Sequence, residues 1–120
     1  MTHVIIEITH PPFGHENTFA GLYVATASLS KGMDVTIILS GDGVYTGMKG
    51  QCDPQNMISL PATEEQVEDI IELDGRIVAD NNSLRKRGIS TDELTEGIEI
   101  LEGEALHELI LEEGDHIIAF

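Results

Sequence analysis

Short runs rich in β-branched and aliphatic residues punctuate the chain: VIIEI at Val4–Ile8, VTIIL at Val35–Leu39, RIVA at Arg76–Ala79 and HIIAF at His116–Phe120. Each is too short for a helix of ordinary length. None alternates cleanly between apolar and polar residues, as a strand with one wet face would, so each fits a strand covered on both faces in a parallel sheet. Parallel neighbours cannot be joined by a tight hairpin; they need a crossover long enough to hold a helix.

Helix signals fill the intervals. Asn17 can cap a helix from about Thr18 to Lys31, with Phe19, Leu22, Tyr23, Ala25, Thr26 and Leu29 as its apolar stripe and Gly32 at its end. The segment SGDGVYTGMKG predicts a tight turn and then a short helix near Val44–Lys49, and Gln51–Pro61 an irregular loop. Thr63 with Gln66 forms a capping box for a helix to about Leu73, buried through Val67, Ile70 and Ile71. Asn81–Arg87 is a short polar segment, and Ser90 with Glu93 opens a brief helix through Glu96. Ile98–Leu101 is a short fourth strand, followed by a helix at Glu104–Glu112 with Ala105, Leu106, Leu109 and Ile110 inward. The order β-α-β-α-α-β-α-β-α-β predicts an α/β fold, a doubly wound parallel sheet of about five strands with helices on both faces, or flavodoxin-like sandwich. A chain of 120 residues is sized for one domain.

Charge narrows the partners. Twenty-two acidic residues against six basic ones give a formal net charge of −16, which repels phosphate backbones and anionic lipid alike. Neither nucleic acid nor a membrane is therefore expected as a partner. Cys52 is the one cysteine, so no disulfide can form within the chain. No signal-peptide pattern and no apolar run of membrane-spanning length is evident, and together these features favour the cytoplasm.

In an open parallel sheet, ligands bind at the carboxyl ends of the strands. The loops expected there are His10–Glu16, Gly41–Cys52 and Asp80–Gly88. His10, His15 and Glu16 are candidate binding residues, but their spacing matches no zinc pattern, and no metal or cofactor is expected. GDGVYTGMKG lacks the G-K-[ST] ending of a phosphate loop, and its Asp42 would repel a phosphate. The thiol of Cys52 has Lys49 nearby to favour a thiolate and Asp53 adjacent to oppose it. Arg85, Lys86 and Arg87 can hold an anion, contact an acidic partner, or neutralise carboxylates at a subunit contact. Asp80, Asn81, Asn82 and Ser83 are turn and capping residues by type.

The ordered motifs resemble those of the DsrE/DsrF-like family, especially its YchN-like branch. PPFGHENTF resembles the P-[YF]-G-x-E segment that opens the family's first helix, and GDGVYTGMKGQ is similar to D-x-V-x-x-G-x-x-G-Q after the second strand. RGIS at Arg87–Ser90 resembles the Arg-Gly-Ile-Ser after the family's cysteine loop, and EGIEILEGEALHELILEEGDHIIAF resembles its closing strand-helix-strand. The resemblance implies a five-stranded α/β sandwich, a cytoplasmic location and homo-oligomers, often trimers or hexamers. It also implies kinship with sulfur-relay proteins such as the TusD-like subunits, which carry a persulfide on a cysteine. That cysteine falls where this chain has Asp80, and a second one of the YchN-like branch falls at Ser83. Neither residue can carry a persulfide. The reading that follows is a non-catalytic oligomeric scaffold or partner-binding protein. The alternative is a persulfide carrier using Cys52. A third reading is a small-ligand site at the strand ends, built from Asp80, Ser83, Arg87 and the His10–Glu16 loop.

Overall fold

In a computed structural model of the chain, describing residues 2–12, 17–49 and 63–120, the apolar runs form one five-stranded, all-parallel sheet. Its strands are β1 (His3–Ile8), β2 (Asp34–Leu39), β3 (Arg76–Asp80), β4 (Glu99–Leu101) and β5 (His116–Ala119), in the spatial order β4-β3-β2-β1-β5. The helices are α1 (Asn17–Ser30), α2 (Thr63–Glu72), α3 (Asn81–Lys86) and α4 (Glu104–Glu113), with 3₁₀ turns at Gly41–Gly47 and Thr91–Glu93. The expected α/β architecture is present. The turn after β2 begins sooner than the sequence predicts, because Gly41 follows the strand almost at once and the chain coils immediately.

The chain steps from β1 to β4 in one direction, then crosses back to place β5 on the far side of β1. Right-handed crossovers put the first three connections on one face of the sheet and the last on the other. The core divides accordingly. Val4, Ile6, Ile8, Ile37, Leu39 and Ile77 pack with Leu22 of α1, Val67 and Ile70 of α2 and Leu84 of α3. Ile5, Ile38 and Val78 point the other way, against Leu109, Leu106 and Ile110 of α4. Each fully buried Ile or Leu contributes roughly 2 kcal/mol, so the first face, with more such residues, dominates stability.

Two expected inward residues lie outside. Tyr23 is exposed and leans on Phe19, because α1 buries Thr18, Gly21, Leu22 and Ala25 instead. Ala105 is also exposed, since Leu106, Leu109 and Ile110, spaced three and four apart, already form the face that α4 lays on the sheet.

The sheet's edges differ. Beside β4, Arg76 of β3 reaches Glu99 at 2.6 Å and Glu113 at the end of α4 at 3.2 Å. The hydrogen bonds that Arg76 donates to Glu99 raise the pKa of its guanidinium above the ordinary value. At the other edge every residue of β5 is exposed, although its neighbour β1 is almost wholly buried. The ladder continues past β5 through Phe120 N–H to the Glu7 carbonyl (2.7 Å) and Thr9 N–H to the Phe120 carbonyl (3.0 Å).

The 3₁₀ turn passes so close to the end of β1 that only glycine fits at position 43: a Cβ there would lie 1.9 Å from the Ile8 carbonyl oxygen. Gly43→Ala is therefore expected to destabilise the protein by about 2–3 kcal/mol through overpacking, read as a lower midpoint in urea with an unchanged slope. A variant as stable as the parent would contradict this packing.

Candidate functional site

The carboxyl ends of β1, β2 and β3 carry the polar groups. Asp80 ends β3 and caps α3, accepting hydrogen bonds from the Ser83 backbone N–H (3.3 Å) and hydroxyl (2.6 Å). The Ser83 oxygen in turn accepts the Gly41 N–H (3.0 Å), which ties the loop after β2 to the one after β3. Arg87 adds a second tie, donating through Nε to Asp42 Oδ1 at 3.0 Å and through a terminal nitrogen to the Ser83 carbonyl at 3.2 Å. Arg85 pairs with Glu102 at 3.0 Å. Arg85 and Arg87 thus neutralise carboxylates of their own chain.

The loop after β1 is anchored separately. The Thr18 hydroxyl lies 2.9 Å from the carbonyls of both His10 and Pro11, fixing the start of α1 against the end of β1. His10 is half-buried there. His15, Glu16 and Cys52 lie outside the described residues. The structure therefore joins Asp42, Asp80, Ser83 and Arg87 into one bonded network and places Arg85 beside it.

Strand alternation builds a second arrangement on the α4 face. Glu7 follows Ile5, Ser40 follows Ile38 and Asp80 follows Val78 on that face, so an apolar row gives way to a polar one at the strand ends. The Ser40 hydroxyl donates to Glu7 Oε1 at 3.2 Å. A cavity of about 280 Å³ opens above this row, lined by Glu7, Ser40, Asp80, Asn82 and His107, with apolar walls from Ile38, Leu106 and Ile110. The first turn of α4 reaches it because Gly103, at φ +58° and ψ −125°, turns the chain sharply out of β4. Asp80 belongs to both arrangements, capping α3 with one oxygen while lining the cavity.

Glu7, Ser40 and His107 escaped the sequence reading. Glu7 does leave a signal, a carboxylate inside a run of Val and Ile on a strand covered on both faces, where a buried polar group needs a reason. His107 leaves none, since its place at the cavity depends on how α4 crosses the sheet. Among the described residues, no group of three or more His, Cys, Asp or Glu side chains is arranged to hold a metal ion, and no helix is long and apolar enough to cross a membrane.

Asp80→Ala is expected to cost about 1 kcal/mol by removing the α3 cap, whereas Asp80→Asn, which keeps an acceptor, costs a few tenths. Chemical denaturation of the two variants distinguishes them, and equal losses would show that the cap does not hold α3.

The fold that carries this site is shared with other proteins. The chain is 31% identical over 119 residues to an uncharacterized protein of Methanopyrus kandleri, covering 98% of this chain and 93% of that one. It is 30% identical over 115 residues to an uncharacterized protein of Methanocaldococcus jannaschii, covering 94% and 95%. Among solved structures, the YchN protein of E. coli superposes over the full length of both chains with a TM-score of 0.89 at 24% identity. A protein of unknown function, MTH1491 from Methanobacterium thermoautotrophicum, does so with a TM-score of 0.76 at 16% identity. These two likenesses establish a common fold. The model of the DsrE/DsrF-like family matches residues 2–120, and the chain belongs to that family.

Proposed function

We propose that this protein is a non-catalytic, homo-oligomeric member of its family that works by binding a partner. One observation carries this reading. At the position where the family resemblance implies a persulfide-bearing cysteine, Asp80 is engaged as a helix cap, bonded twice to Ser83. A carboxylate in that role supplies no sulfur nucleophile.

Assembly has its own support at β5. A bare strand edge is a template for pairing, and monomeric proteins usually blunt it with lysine, proline, a bulge or a covering element. The HIIA sequence of β5 has none of the first two, and Ile117 and Ile118 are 53% and 40% exposed on opposite faces of the strand. Leu111 of α4 is 81% exposed. Burying these residues against further copies of the chain, in a trimer or hexamer, would remove an apolar edge from water. A second surface suits a basic partner: a groove of about 630 Å³ beside α2, where Glu64, Glu65, Glu68, Asp69, Glu72 and Glu96 outnumber Lys49. A cytoplasmic setting agrees with the single cysteine.

Light scattering coupled to size exclusion tests the assembly. The parent protein is expected to run as a discrete oligomer, and Ile118→Lys, which places a charge on the apolar edge, to shift it to monomer. A monomeric parent would overturn the assembly. Mass spectrometry after incubation with a persulfide donor tests the chemistry: no stoichiometric gain of sulfur is expected, and a full sulfur adduct on Cys52 would instead make the protein a carrier.

A further inference from the structure

We infer that the cavity between the strand ends and α4 binds a primary alkylammonium group. Glu7 and Asp80 both line it, and each already has one carboxylate oxygen engaged, Glu7 with Ser40 and Asp80 with Ser83. The remaining oxygens can accept hydrogen bonds. The chain has three arginines, and all of them answer other carboxylates: Arg76 pairs with Glu99 and Glu113, Arg85 with Glu102 and Arg87 with Asp42. No lysine or arginine is among the described residues that line the cavity. An ammonium group in the cavity has three N–H donors to offer these acceptors in charge-assisted hydrogen bonds.

The rest of the cavity selects the kind of cation. Ile38, Leu106 and Ile110 offer an apolar wall next to the carboxylates, which suits a short alkyl chain behind the charge. The volume of about 280 Å³ lies near the lower limit for small-molecule pockets, so the ligand is modest in size. Asn82 and His107 at the rim add groups that can accept or donate. A free amine and the side chain of a lysine on a partner protein present the same chemistry.

This inference rests on reading the strand ends as a place that binds rather than reacts. It is tested by calorimetric titration of the full chain with n-butylammonium and with Nα-acetyl-lysine methylamide, using butyrate and n-butanol as controls. Saturable binding of an ammonium probe and none of the controls is expected. Tighter binding of the free amine identifies a small metabolite as the source, and tighter binding of the lysine derivative a protein side chain. Glu7→Gln and Asp80→Asn should each weaken binding at least about tenfold. Both keep an acceptor oxygen for Ser40 or Ser83, so melting temperatures near that of the parent confirm that folding is intact. Absence of saturable binding by the folded parent, or binding unchanged in both variants, overturns the inference. A protein that assembles but takes up no ammonium probe would remove this ligand and leave the oligomeric, partner-binding reading standing.

Discussion

The structure depends on β1 being hydrogen-bonded along both of its sides. It pairs with β2 from His3 to Ile8 and with β5 from Val4 to Glu7, and its side chains supply both cores, Val4, Ile6 and Ile8 to one and Ile5 to the other. Without it, β5 would have no sheet to join and α4 no centre to cover. Because the chain departs from β1 on one side and returns on the other, the loops that end near it come from distant parts of the sequence. The chemistry collected there is a product of that reversal.

Much of this was legible in the residues. Continuous β-branched runs marked the strands because a parallel sheet is buried on both faces, and the intervals between them left room only for crossovers. The bonded network of Asp42, Asp80, Ser83 and Arg87 lies where the loops after β2 and β3 were expected to meet. What could not be read was direction. Tyr23 belongs to a convincing apolar stripe, yet the turn of α1 that faces the sheet is the one carrying Gly21, Leu22 and Ala25. The cavity was hidden for the same reason. Glu7 and His107 are 100 positions apart, and they share a cavity only because α4 crosses above the strand ends. No local pattern encodes that crossing.

The two faces of the sheet are unequally covered. On one, α1, α2 and α3 bury a broad apolar layer; on the other, α4 is the one helix among the described residues that covers Ile5, Ile38 and Val78. At either end of this second layer the side chains turn polar, with the His3 ring 2.7 Å from the Thr36 hydroxyl at one end and Glu7 with Ser40 at the other. A single helix over a narrow apolar strip is easier to displace than a layer of three. The thick side holds the larger share of the buried apolar residues that keep the strands together.

On the proposed reading, Asp80 stands where the family resemblance implies a cysteine. The amide that Asp80 accepts from lies in the first turn of α3, where the backbone donors have no partner within the helix. A carboxylate there satisfies an unpaired backbone donor without bringing an atom able to attack, so one side chain can hold the backbone of a strand end in place and leave it chemically quiet.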